Sequence, residues 1–113
     1  MQNHLLIKKL LQQKNRPNGI VASVKKLTTP IYMACEALKL KMPGDVKVVC
    51  FSNLEMADML NPSLTTITQP AFEMGKAAAT LLFKALEKRN FSLIKEDYMI
   101  PSTLVVRGSS GWR

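Results

Sequence analysis

The chain has 113 residues, of which 47% are hydrophobic, 21% charged and 6% aromatic, proportions ordinary for a domain with a single core. Sixteen Lys and Arg against eight Asp and Glu leave a net charge of +8, which suits a polyanionic partner or a well-solvated surface. No apolar run approaches the roughly 20 residues that cross a bilayer, and Lys8 and Lys9 interrupt Leu5-Leu6-Ile7 before a signal peptide's apolar region can form, so the protein reads as cytoplasmic with no membrane partner.

Leu5, Leu6, Ile7, Leu10 and Leu11 recur near helical spacing and predict an amphipathic helix over His4–Lys14, stopped before Arg16-Pro17-Asn18-Gly19. Ile20-Val21-Ala22 reads as a short buried strand. Ile31, Ala34, Cys35 and Leu38 then share one face of a second helix, whose start has two solutions. Either Thr29 is the N-cap with Pro30 at the first helical position, the favoured reading, or Ser23 caps an earlier start and Pro30 kinks the first turns. After a turn at Met42-Pro43-Gly44-Asp45, the β-branched run Val46–Phe51 predicts a mostly buried strand, and strand, helix, strand in that order implies a parallel sheet with a crossover.

A helical turn is expected around Leu54–Leu60, closed by Asn61-Pro62-Ser63, with another strand at Leu64–Ile67. Pro70 opens the longest amphipathic segment, Ala71–Lys88, whose Gly75, Ala78, Ala79, Leu82, Ala85 and Leu86 form a close-packing stripe. That helix carries more apolar surface than these short strands need to cover. Leu104-Val105-Val106 predicts a last strand, and Gly108-Ser109-Ser110-Gly111 a flexible tail.

The basic residues come as scattered pairs without interleaved aromatics, which favours solvated surface over base stacking. Cys35 and Cys50, each in an apolar stretch, read as small buried hydrophobes and not as a disulfide or half a metal site. His4 has no serine, cysteine or carboxylate placed to complete a triad, and no phosphate loop or metal-spaced pair occurs, so neither enzyme chemistry, a metal nor a cofactor is expected.

Three stretches together carry a family likeness: Pro43–Phe51, then Asn61–Pro70, then Met74-Gly75 on the helix that follows. They resemble the carboxy-terminal part of the bacterial lactose-repressor (LacI) and purine-repressor family of transcription regulators, collinearly from about Ile20 to Gly108, with Leu104–Arg107 similar to the family's closing strand. The resemblance implies an α/β, parallel-sheet fold of the periplasmic-binding-protein type, present only in part. Residues 1–67 would belong to the distal lobe of the effector-binding domain, 68–97 to a crossover and helix of the DNA-proximal lobe, and 98–113 to a return strand and tail. Thr68, Gln69 and Pro70, with a stretch near Lys95–Asp97, would be the interlobe crossovers.

It further implies a small-molecule effector, a sugar or nucleobase, a homodimer, and operator DNA bound through a headpiece that nothing in this chain resembles. The family's effector contacts fall on Val24 and Lys25 after the first strand and on Ser52 and Asn53 after the second. An Asn-Asp pair and an acid are expected there, so the hydrogen bonds a carboxylate accepts from a polyol are missing. Three readings follow: a less polar or anionic effector, contacts made elsewhere, or no effector. Lys25 also reads as a solvent-facing lysine, and Ser52 and Asn53 also read as caps of the next turn. Carried over in the same way, the dimer surface is Thr29, Tyr32, Met33, Met59 and Leu60, with core packing an equal explanation for the last two. Two other functions compete: a solute-binding fragment of a transport system, and a small basic nucleic-acid-binding protein.

Overall fold

The computed structural model describes residues 2–87 and 98–111. The elements in chain order are α1 (Gln2–Leu11), β1 (Gly19–Ala22), α2 (Thr28–Ala37), β2 (Lys47–Phe51), β3 (Thr65–Thr68), α3 (Ala71–Glu87) and β4 (Thr103–Val105). Short 3-10 turns lie at Lys25–Leu27 and Ala57–Met59. The expected turn around Leu54–Leu60 is thus a single 3-10 turn, and strand boundaries move by about one residue.

The four strands form one sheet in the order β1-β2-β3-β4. β1, β2 and β3 run parallel, with Ala22 level with Cys50 and Cys50 level with Thr66, while β4 returns antiparallel along β3. Alternation along β2 sends Val48 and Cys50 into the core and leaves Lys47 and Phe51 outside. α2 closes that core with Thr28, Ile31, Ala34 and Cys35, one helical stripe, and α1 packs beside it through Leu11 and Ile7. Cys35 and Cys50 are both buried free thiols.

The start of α2 follows neither expected solution. Leu27 is the N-cap and makes no side-chain cap, because the chain enters the helix already coiled and the Thr28 N–H donates to the Lys25 carbonyl. Pro30 sits at the third helical position, where its missing N–H costs nothing, since the first amides of a helix have no intrahelical acceptor. The helix ends in a Schellman arrangement: Lys39 has φ 57°, its N–H donates to Glu36 and the Leu40 N–H to Cys35.

The tail expected to be flexible is pinned. Ser109 is fully buried, its hydroxyl donates to the Val48 carbonyl at 2.5 Å, and the Thr65 N–H donates to that hydroxyl at 2.9 Å. Its backbone bonds Ser63 and Val48, and Gly108 N–H reaches the Ser63 hydroxyl. Gly111 is there for proximity, not mobility: a Cβ would stand 2.9 Å from the Arg107 carbonyl oxygen. Arg107 completes the latch, its guanidinium donating to the Leu64 carbonyl at 2.8 Å and the Thr66 hydroxyl at 3.0 Å.

The chain divides into two compact units. One comprises the residues up to Thr68 and those from Thr103 on; the other is Gln69–Ser102. Tyr98–Ser102, expected with the returning segment, therefore group with α3. The helix expected over Ala71–Lys88 is described to Glu87, and Lys88 and the Lys95–Asp97 stretch lie outside the described residues. α3 has no buried residue. Among the described residues no helix is long and apolar enough to cross a membrane.

Candidate functional site

In an open parallel sheet the loops at the carboxyl ends of the strands are where ligands bind, because successive strand ends open onto one edge while helices cover the faces. The register fixes which residues meet there. Ala22, Cys50 and Thr66 are level where the pairing of β1 with β2 ends, and Phe51 is level with Ile67 one step on, so Ser52 and Thr68 follow at the ends of β2 and β3 while Val24 lies in the bend just after β1. Lys25 and Asn53 follow by one residue each.

Each position is held by backbone chemistry. Val24, in the bend between β1 and the 3-10 turn, has extended backbone (φ −143°, ψ 152°), and its carbonyl accepts from the Leu27 N–H at 3.2 Å and the Cys50 thiol at 3.6 Å. The Ser52 N–H donates to the Ile67 carbonyl at 3.2 Å, extending the β2–β3 ladder by one step. The Ser52 hydroxyl then accepts the Leu54 N–H at 2.9 Å, a local loop bond and not the expected cap of the next turn, whose N-cap is Met56 with no side-chain bond. Ser52 is only 4% exposed, whereas Val24, Lys25 and Asn53 are exposed. Thr68, read from sequence as a crossover residue, closes β3, and its hydroxyl donates to the Thr103 carbonyl; Gln69 and Pro70 lead on into α3.

The residues carried over to a dimer surface lie on α2 and the Ala57–Met59 turn. Thr29 and Met33 are exposed, and Met59 is 74% exposed, so core packing does not account for it. Leu60 does pack against the core. Tyr32 is half-buried and donates to the Pro62 carbonyl at 2.6 Å. Burial, and behind it the neighbouring Cys35 and Cys50, push its phenol up to about 12, and burial raises the Cys35 thiol. Tyr32, Cys35, Glu36, Met42 and Pro62 line a hollow of about 260 Å³, and α3 with Tyr98 and Ile100 lines another of about 350 Å³. Neither hollow is lined by Val24, Ser52 or Thr68.

Chemically the edge offers an ammonium, a hydroxyl and an amide, with no nucleophile set against a base. Among the described residues no group of three or more His, Cys, Asp or Glu could hold a metal ion. Lys26, next to Lys25 and also exposed, adds a second ammonium to this loop, and its adjacency to a strand-end residue is the signal for it in the sequence.

A largely parallel sheet with a helix packed on one face and open loops at its strand ends defines the class, an open α/β domain of the ligand-binding kind. Residues 1–110 match the periplasmic binding protein-like domain family. The chain is 34% identical over 98 residues to the ribose operon repressor of Halalkalibacterium halodurans, covering 87% of this chain and 29% of that protein. It is 32% identical over 103 residues to the lactose operon repressor of Rhizobium radiobacter, covering 91% of this chain and 88% of that protein. Among solved structures, a LacI family transcriptional regulator from Enterococcus faecalis V583 with bound ribose matches with a TM-score of 0.81 and 26% identity, over 96% of this chain and 39% of that one. The chain belongs to the periplasmic binding protein-like family in its LacI branch, and is a partial effector-binding domain.

Proposed function

We propose that this chain is the effector-sensing and dimerising portion of a cytoplasmic LacI-type transcription regulator. A small molecule held at the carboxyl edge of the sheet biases lobe closure, and closure biases headpieces outside this chain on operator DNA. The observation that carries the reading is the placing of Val24, Ser52 and Thr68 at or just beyond the carboxyl ends of β1, β2 and β3 in a chain with repressor relatives. Both named repressors, and the ribose-bound regulator, support this over transport or direct nucleic-acid binding by this chain. The unit up to Thr68 with the residues from Thr103 on would be the distal lobe, and Gln69–Ser102 a piece of the DNA-proximal one.

The test is operator affinity in the protein at its natural length, by fluorescence anisotropy, with and without ribose, lactose and other candidate effectors. At least one should change operator affinity by about fivefold or more, the usual floor of an allosteric coupling. Affinity indifferent to all of them would overturn the reading. Dimerisation through α2 and the Ala57–Met59 turn has its own check. Met59→Asp places a charge on an exposed apolar side chain without touching the core, and should halve the sedimenting mass; an unchanged mass rejects that surface.

A further inference from the structure

We propose that the carboxyl edge of this sheet takes a small molecule bearing a phosphate or carboxylate group in preference to a neutral sugar, with Lys25 as the charge partner. The inference deepens the effector-site reading above and rests on it. Its ground is the balance of donors and charge at the strand ends. In the loops that leave β1 and β2, residues 23–27 and 52–56, the charged side chains are Lys25, Lys26 and Glu55. All three are exposed, and neither lysine has an ion-pair partner among the described residues. Of the residues just past the ends of β1 and β2 (Val24, Lys25, Ser52 and Asn53) and the last of β3 (Thr68), none is a carboxylate.

One hydroxyl adds to the donors. The Ser52 oxygen accepts the Leu54 N–H, and this nearly buried group still has its hydrogen to give. Thr68 has given its hydrogen to the Thr103 carbonyl and keeps acceptor capacity only, so the balance rests on Ser52 and Lys25. Lys25 brings three further donors and no acceptor. A neutral polyol presents donors and acceptors in equal number and gains nothing from the lysine's charge. A phosphate or carboxylate presents acceptors to these donors, and its charge meets an ammonium with no ion-pair partner among the described residues, on a chain of net charge +8.

The experiment is isothermal titration of the protein at its natural length with matched pairs: ribose against ribose 5-phosphate, glucose against glucose 6-phosphate, and gluconate as the carboxylate. The anionic member of at least one pair should bind at least tenfold tighter than its neutral partner. Lys25→Gln, checked for native circular dichroism, should weaken that anion about tenfold and leave neutral sugars unchanged, the loss expected for one charge-assisted hydrogen bond. Inorganic phosphate separates recognition of the anion alone, which supports the proposal if Lys25→Gln abolishes it, from adventitious binding insensitive to the variant, which counts against it. A neutral sugar binding as well as its phosphate, indifferent to Lys25→Gln, overturns the anion proposal and leaves the effector site standing. Absence of binding by every member of both series overturns both.

Discussion

Tyr32 is held by two different forces. Its hydroxyl donates to the Pro62 carbonyl, and its ring shares the buried side of α2 with Cys35. Folding therefore keeps the phenol protonated to about pH 12, while the unfolded chain releases that proton near pH 10. The unfolded state alone gains by ionising between those values, so stability is full below pH 10 and falls as pH rises toward 12. Cys35, also raised by burial, adds the same sign from a lower starting pH. Urea unfolding at pH 9, 10, 11 and 12 should show the decline in the native chain and a shallower one in Tyr32→Phe; parallel curves would mean the hydroxyl ionises freely in the fold. Single residues were legible from sequence only in part. The buried cysteines and the local backbone bond of Ser52 follow from residue chemistry, but the absence of a Ser52 cap on the next turn does not, nor does Lys39 at φ 57°, because a lysine in the left-handed region is set by the Schellman closure around it. At the candidate site, which residues follow the strands could be read from sequence, but how the strands line up could not. Only the strand register sets Cys50 level with Ala22 and Thr66, and so fixes where the loops after β1 and β2 begin.

Elements were legible where periodicity spoke and illegible where tertiary partners decided. The apolar spacing of α1, α2 and α3 and the β-branched run of β2 are local signals, and each produced its element within a few residues. The tail misled because glycine and serine are ambiguous between mobility and close approach. Here they serve close approach, since Ser109 fills the gap where β2 and β3 begin and satisfies a carbonyl on one and an amide on the other. Removing its hydroxyl leaves both groups buried without that partner. Ser109→Ala should therefore cost about 2 kcal/mol of stability, the penalty of unsatisfied buried backbone groups. Chemical denaturation measures the cost, and hydrogen exchange at the Thr65 amide locates it. A loss below about 0.5 kcal/mol, within the range of surface substitutions, would show that the tail rests on the sheet without bracing it.

At the scale of the whole molecule, the chain has a core on one side of its sheet and uncovered apolar surface elsewhere. Val21 is 69% exposed, Phe51 and Leu104 are exposed on the same face, and α3 leaves Phe72 78% exposed with Leu82, Phe83 and Leu86. Parallel sheets are ordinarily covered on both faces, because their strands are apolar on both. The chain spans 29% of the ribose operon repressor's length, and in such a protein other segments are available to cover these surfaces. Produced alone, the 113 residues must leave them to water or to each other. Burial of exposed apolar patches drives association, while the net charge of +8 opposes it by repulsion that salt screens within about 8 Å at physiological strength. The two terms respond oppositely to salt, which gives the prediction its signature. The isolated chain should bind a dye specific for exposed apolar surface, and light scattering should show species above the monomer that grow between about 0.02 and 0.5 M salt, where screening removes the repulsion and leaves the apolar drive. Association that weakens with salt would assign it to opposite charges instead. A monodisperse monomer without dye binding would mean that the exposed stripe of α3 and the open face of the sheet find cover within the chain itself.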